Sequence, residues 1–404
     1  MECGLLGRKL SHSYSPQIHS FFGDYSYALC EVEPDDLDDF FHNLPYQGIN
    51  VTIPYKKAVI PYCDELTQVA AKMSAVNTIV RRSDGKLVGH NTDYFGFLST
   101  VIRSGLQVTG KKVLVLGSGG AANTAIAVMK ELGGEVITIS RSGPNHYGNL
   151  FLHDDAAVIV NATPVGMYPN NGQSPVDLSL FPKLEGVLDM IYNPARTQLI
   201  MDARERNLVA ENGLWMLIAQ AKESAEWFTG NKIPDNIIQK IHTHLSAEMQ
   251  NIVLIGMPGC GKTTIGTLLS KATDRRFVDT DALIVEKAGC SIPELFQNKG
   301  ENYFRYLESQ ILNDVGKESG IIISTGGGCV TRKENYPALH QNSTIIWLKR
   351  DVNLLPSNGR PLSQSTCLTD MYRTREPLYA QFADIIVENS TTPAETMQTI
   401  RRLQ

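Results

Sequence analysis

The sequence predicts an α/β protein of more than one domain, on three observations. Short apolar runs bounded by glycine alternate with longer helical patterns along the whole chain. The 404 residues exceed the length at which a single core stops growing, roughly 250–300 residues. Two glycine-rich turns, GSGGAA at 117–122 and GMPGCGKT at 256–263, each sit between a strand-like run and a helix-like one.

In chain order, GLLG (4–7), GINVTI (48–53), KVLVLG (112–117), EVITIS (135–140), AAVIVNAT (156–163) and GVLDMIY (186–192) read as strands. A second series follows with NIVLIG (251–256), RFVDTD (276–281), GIIISTGG (320–327), STIIWLK (343–349) and ADIIVEN (383–389). Between the two series, residues 233–250 read as a closing helix, which places a domain boundary near residue 248. His242 and His244 fall there at i, i+2, on different helix faces, and read as helix surface rather than a metal pair. A weaker division is expected over Gly96–Lys111, where a new unit starts. The acidic run EVEPDDLDDF (31–40) reads as a solvated helix start after Pro34.

Composition narrows the function classes. A hydrophobic share of 42% with 20% charged residues is that of an ordinary globular chain. Net charge is −5, and neither part is basic: residues 1–248 carry 20 Lys and Arg against 26 acids, the rest 17 against 16. A nucleic-acid or membrane partner, which needs a basic excess, is therefore not expected. No apolar run is long enough to cross a bilayer, and the first residues lack an export pattern. Seven scattered cysteines without C-x-x-C spacing suit a reducing cytoplasm.

The first glycine turn places Gly117, Gly119 and Ala122 on a G-x-G-x-x-A fingerprint. Gly117 serves the tight turn, Gly119 admits a pyrophosphate to the backbone, and Ala122 permits close helix–strand packing. Ser118, Gly120 and Ala121 complete this Rossmann-type cofactor loop. About 20 residues on, where a ribose is read, the chain has Ser140-Arg141-Ser142 and no acid. A cation there suits a 2′-phosphate, so NADP(H) is expected rather than NAD.

Ahead of that turn, LSHSYSP, NVTIPYK, SAVNT and GHNTDYFG are polar segments that would individually read as surface. Together, and continued by SRS, NATPVGM, DMIYNPARTQL and NGLWMLIAQA, they resemble shikimate dehydrogenase over residues 1–246. That resemblance implies Lys56 and Asp93 as catalytic residues and Ser13, Ser15, Thr52, Asn77, Tyr192 and Gln220 as holding dehydroshikimate. It also implies Gly213 and Met216 near the nicotinamide. Ser140 departs from the asparagine more usual before the arginine.

The second turn is a full G-x-x-x-x-G-K-T match, and this P-loop predicts ATP and Mg2+. Gly259, Cys260, Gly261, Lys262 and Thr264 would cradle phosphates, and Thr263 would ligate the metal. FVDTD, GENYFRYLE, STGGG, NGRPL and TREPLY follow; Arg305 and Glu308 on their own read as a helix-surface ion pair. In this order the segments resemble shikimate kinase over 250–404. The resemblance implies Arg305 and Arg375 on the shikimate carboxylate and Gly327 and Gly328 as backbone contacts to it. Asp281 would bind ring hydroxyls and act as base, Asp279 would support Mg2+, and Arg360 would act from a lid. That lid, LPSNGRPLSQ, is short and has a single arginine.

The expected organisation is a substrate-binding α/β domain (1–97 with 220–246), a Rossmann-type NADP domain (98–219) and a P-loop NTPase-type parallel α/β kinase domain (250–404). The expected function is a cytoplasmic bifunctional enzyme reducing 3-dehydroshikimate and then phosphorylating shikimate. A quinate-type, NAD-linked reductase and a catalytically silent sensor built on the same folds are the alternatives.

Overall fold

The computed structural model describes residues 1–10, 13–355 and 368–403. By contact the chain divides into two compact units. The first comprises Met1–Val165, Ser174–Tyr192 and Asp202–His244; the second comprises Gly166–Gln173, Asn193–Met201 and Leu245–Gln404. Two short excursions placed by the sequence in the NADP domain thus belong to the second unit. There Ala195 N donates to Asn342 Oδ1 at 2.8 Å and Arg196 Nη1 to Ser343 O at 2.9 Å.

The first unit holds two sheets. One runs in the order β2-β1-β3-β5-β6-β4, from β1 (Glu2–Gly7), β2 (Ser26–Glu31), β3 (Gly48–Val51), β4 (Glu65–Leu66), β5 (Thr78–Arg81) and β6 (Leu87–His90). β1 pairs in parallel with β2 and β3, whereas β5 is antiparallel to both β3 and β6. The other is a parallel sheet, β11-β10-β9-β7-β8. Its strands are β7 (Lys112–Leu116), β8 (Glu135–Ile139), β9 (Val158–Asn161), β10 (Gly186–Asp189) and β11 (Val209–Glu211). Val113 to Leu116 are all fully buried, as a strand covered on both faces requires. Strand order reverses at β7, so the Gly117 turn opens at the switch point where such sheets bind ligands.

The second unit is a parallel sheet in the order β13-β14-β12-β15-β16. Its strands are β12 (Asn251–Ile255), β13 (Phe277–Asp279), β14 (Ile322–Ser324), β15 (Ser343–Lys349) and β16 (Ile385–Glu388). β12, the P-loop strand, is central and buried throughout. The boundary predicted near residue 248 lies close to the end of the helix Asn236–Met249. Among the described residues, no helix is long and apolar enough to cross a membrane.

Three histidines of the first unit, the buried His19 and His90 and the half-buried His242, are held neutral. Burial pushes His19 down to about 3 and His90 and His242 down to about 4; Arg103 adds to the shift at His242. His242 packs against Trp215, with ring centroids 5.6 Å apart, rather than lying on the surface as its spacing predicts. The unfolded chain takes up protons first as pH falls below the ordinary imidazole value of about 6.5. The contribution to stability is therefore fully present above that value and lost as pH falls toward 4. Urea midpoints for the first unit are expected to be lower at pH 5 than at pH 7; equal midpoints would contradict this account.

Candidate functional site

Each unit forms one cleft at which the sequence-predicted residues meet. In the first unit, a cleft of about 440 Å³ is lined by Ser13, Ser15, Thr52, Lys56, Asn77, Asp93, Tyr192, Gly213, Met216 and Gln220. These come from distant parts of the chain. Ser15 begins a short helix, Thr52 and Lys56 follow β3, and Asp93 is the first residue of the helix Asp93–Ser104. That helix meets the helix Leu214–Thr229, which carries Met216 and Gln220. A Cβ at Gly96 would lie 2.7 Å from Met216 O, so the glycine sets how closely the two helices approach.

At the centre, Lys56 Nζ lies 2.5 Å from Asp93 Oδ2. The other carboxylate oxygen of Asp93 accepts a hydrogen bond from Asn77 Nδ2 at 2.9 Å. Asn77 is itself fixed: its Oδ1 accepts from the Thr92 backbone N–H at 2.7 Å, and its amide donates to Thr92 Oγ1 at 3.0 Å. Asp93 therefore has one oxygen for positioning and one for the lysine. Its place at a helix N-terminus favours the negative charge. The lysine side chain is 30% exposed, which leaves the ammonium accessible to a substrate oxygen.

Sequence reasoning missed the layer beneath. Asn50 Nδ2 donates to Ser224 Oγ at 2.8 Å and to Thr78 Oγ1 at 3.0 Å, and Asn50 Oδ1 accepts from the Tyr27 hydroxyl at 2.7 Å. Ser224 Oγ lies 3.1 Å from Thr92 Oγ1, and Thr92 also reaches Gln220 Oε1 at 3.3 Å. This buried network ties β3 and both helices to the Lys56–Asp93 pair. The signals were local ones: Asn50 shares a strand face with Thr52 at spacing two, and Ser224 lies one helical turn beyond Gln220.

Ser118, Gly119, Gly120, Ala121, Ser140 and Arg141 are not among the residues lining that cleft; they follow β7 and β8. Gly117 has φ +109° and its Cβ would lie 3.0 Å from Ala162 O, so this turn needs a glycine. A Cβ at Gly119 or Gly120 would meet nothing within 4 Å. The helix Gly120–Glu131 begins there. Exposed backbone at a helix N-terminus fits a pyrophosphate, and the exposed Arg141 fits a further phosphate.

In the second unit, a cleft of about 590 Å³ is lined by Gly259, Gly261, Lys262, Thr263, Thr264, Asp279, Asp281, Arg305, Gly327, Gly328 and Arg375. The P-loop turns on Gly256, Gly259 and Gly261 with φ +140°, +83° and +101°. Asn389 donates to Cys260 O at 2.6 Å and braces it. Cys260, predicted to join the phosphate cradle, is fully buried and is not among the residues lining the cleft. Lys262 Nζ donates to Gly256 O at 2.9 Å and Met257 O at 3.0 Å. Thr263 Oγ1 donates to Asp279 Oδ2 at 2.9 Å, joining the two oxygen groups predicted for Mg2+. Among the described residues, no group of three or more His, Cys, Asp or Glu could hold a metal. Two oxygen groups suit Mg2+, which is usually completed by waters and phosphates.

Arg305 and Glu308 are not a surface pair. Their side chains are 7% and 0% exposed, with Nη1–Oε2 at 2.8 Å. Burial pushes the Glu308 carboxyl up, while Arg305 opposes the shift. A Cβ at Gly328 would lie 2.2 Å from Arg305 Nη2, so the guanidinium rests directly on glycine backbone. Arg375 Nη1 donates to Gly327 O at 3.1 Å. The two guanidinium groups thus converge on the Gly326–Gly328 turn, against which Asp281 also lies, since a Cβ at Gly326 would be 2.8 Å from Asp281 Oδ1. Arg360 lies outside the described residues.

Comparison with known proteins separates the two parts. Residues 5–79 match the family model "Shikimate dehydrogenase substrate binding domain" and residues 258–403 match "Shikimate kinase". An NADP(+) shikimate dehydrogenase of Clostridium perfringens is 34% identical over 265 residues, covering 60% of this chain and 97% of that protein. The chain belongs to the shikimate dehydrogenase family. It joins that family, in its first part, to a shikimate kinase part. Among solved structures, shikimate dehydrogenase 1 from Peptoclostridium difficile is 35% identical, with a TM-score of 0.56, covering 60% of this chain and 97% of that one. A Thermus thermophilus shikimate 5-dehydrogenase in complex with NADP(H) and shikimate is 28% identical, with a TM-score of 0.55, covering 60% and 99%.

Proposed function

We propose that the chain is a bifunctional shikimate-pathway enzyme. Its first part reduces 3-dehydroshikimate to shikimate with NADPH, and its second phosphorylates shikimate to shikimate 3-phosphate with MgATP. The observation that carries this reading is the 2.5 Å Lys56–Asp93 pair in one cleft, on the same chain as a P-loop cleft holding two converging arginines.

When bound, NADPH supplies the hydride, ATP the phosphoryl group, and Mg2+ the charge that offsets the phosphates. In the reductase cleft, the Ser13 and Ser15 hydroxyls donate to the substrate carboxylate, and Asn77, Tyr192 and Gln220 hold the ring. Lys56 faces the ketone oxygen. As that carbon becomes tetrahedral, the ammonium stabilises the developing alkoxide and passes it a proton. Asp93 accepts hydrogen bonds from Lys56 and Asn77, which keeps the ammonium aimed while it donates.

In the kinase cleft, Arg305 and Arg375 take the shikimate carboxylate, for which planar forks are suited. Glu308 keeps Arg305 oriented. Asp281 accepts from the ring hydroxyl that attacks and takes its proton. Lys262 and the P-loop N–H groups hold the phosphates, and Arg360 stabilises charge as the phosphoryl group is transferred. This reading places the substrate, NADP and kinase domains at 1–97 with 220–246, 98–219 and 250–404, and the chain in the cytoplasm.

Arg141 is the test of cofactor choice. A charge-assisted bond to a phosphate contributes about 1.5–3 kcal/mol, so Arg141→Ala is expected to raise KM for NADPH about tenfold or more. KM for NADH should stay within about twofold. Equal changes for both cofactors would remove Arg141 from phosphate recognition. The activity itself is tested by ADP release on adding shikimate and MgATP, and by shikimate-dependent reduction of NADP+; a sensor protein would show neither.

A further inference from the structure

Tyr379 is unused by either mechanism, yet it stands between the two ends of the kinase cleft. It is fully buried and lies one helical turn after Arg375 on the helix Leu368–Phe382. Its ring stacks on Trp347 of β15, with centroids 5.7 Å apart at 26°. Its hydroxyl donates to Gly327 O, the carbonyl that also receives Arg375 Nη1. The Tyr379 hydroxyl oxygen also lies 3.8 Å from Sδ of Met257, which belongs to the P-loop.

Each contact has a consequence for a different ligand. A trans peptide sets its N–H opposite its carbonyl, so holding Gly327 O fixes the direction of the Gly328 N–H and the seat of Arg375. On the other side, Met257 O is one of the two carbonyls that hold Lys262 Nζ. The acceptor turn and the P-loop also touch directly, since a Cβ at Gly327 would lie 2.6 Å from Pro258 Cδ. Lys262 turning toward phosphates gives up its bond to Met257 O, on the residue whose sulfur touches the Tyr379 hydroxyl. The path from phosphate to carboxylate end therefore runs through Lys262, Met257, Tyr379, Gly327 and Arg375. Burial raises the phenol well above its ordinary value, so it remains a donor.

We propose that Tyr379 is a positioning residue that couples the nucleotide end of the kinase cleft to the acceptor end. Coupling of this kind is reciprocal: each ligand strengthens the other by the same factor. The proposal rests on the kinase reading above and adds to it a residue that touches neither ligand.

The test is an initial-rate matrix of shikimate and MgATP on the intact chain, read by ADP release. In the unaltered chain, KM for shikimate is expected to fall about threefold or more as MgATP rises to saturation. Tyr379→Phe keeps the ring on Trp347 and leaves Gly327 O with Arg375. It should abolish that dependence and raise both KM values about fivefold, the loss of one ordinary hydrogen bond, with the urea midpoint lowered by no more than the loss of that bond accounts for. Should Tyr379→Phe weaken folding, Met257→Leu removes the sulfur at nearly constant volume and is expected to abolish the same dependence. Either folded variant keeping the unaltered chain's dependence overturns the proposal, as does an unaltered chain whose two KM values are independent. An unaltered chain with no shikimate-dependent ADP release would instead overturn the kinase reading itself.

Discussion

Lys56→Ala is expected to lower kcat for dehydroshikimate reduction by about three orders of magnitude, with KM changed far less. A positioned proton donor contributes about 10²- to 10⁴-fold, and a cation meeting a developing oxyanion contributes a comparable amount. Both effects belong here to one group, because Nζ is what Asp93 Oδ2 holds at 2.5 Å. The substitution leaves Asp93 bonded to Asn77 and the underlying network of Asn50, Thr78, Thr92 and Ser224 intact. Binding should therefore survive while turnover does not, the pattern of an interaction made mainly in the transition state. Phosphorylation of shikimate by the same variant should stay within about twofold. Steady-state assays of both reactions check this; comparable losses in both would mean that the two activities are not carried by separate residues.

The converse result is expected of Lys262→Ala. Its ammonium is the one charged side chain the P-loop offers to the phosphates, and phosphoryl transfer depends almost entirely on positioning and charge stabilisation. The loss in kcat for ADP formation should reach about 10³-fold, while reductase kcat and KM stay within about twofold. The variant also frees Gly256 O and Met257 O, the lysine's two acceptors. Both residues are buried, so the variant's urea midpoint is expected to fall somewhat, and the kinetic loss is read on protein shown to be folded. A variant still phosphorylating shikimate at near the original rate would show that Lys262 is not in the phosphate site.

What the sequence made legible follows from how local each signal is. The strands of the two parallel sheets that carry the glycine turns, β7 and β12, are unbroken apolar runs because both faces are covered, and they stand out. SYALCE, which forms β2, does not. It is a sheet edge whose residues are all exposed or half-exposed, and its apolar run YALC is short and not bounded by glycine. β5 and β6 are short and joined through RRSDGK, whose Asp84-Gly85 pair is a turn signal that went unread.

At the sites, residues near a glycine turn or within a quoted motif were visible. Those whose meaning is a contact across the fold were not. Asn50 and Ser224 meet across 174 residues of chain, and Tyr379 reaches Gly327 across 52. Arg305 and Glu308 show the same limit from the other side. Spacing alone makes them a surface pair; packing against Gly326 and Gly328 makes them part of a cleft. The excursions at 166–173 and 193–201 could not be read at all, since nothing in their composition says which unit they join.

The central claim is that one chain makes shikimate at one cleft and phosphorylates it at another. Supplying the intact chain with dehydroshikimate, NADPH and MgATP together, with no shikimate added, tests it most directly. The account predicts NADPH oxidation followed by ADP and shikimate phosphate in matching amounts, with no ADP when NADPH is left out. NADPH oxidation that yields shikimate but no ADP, or ADP formation that does not depend on NADPH, would contradict it.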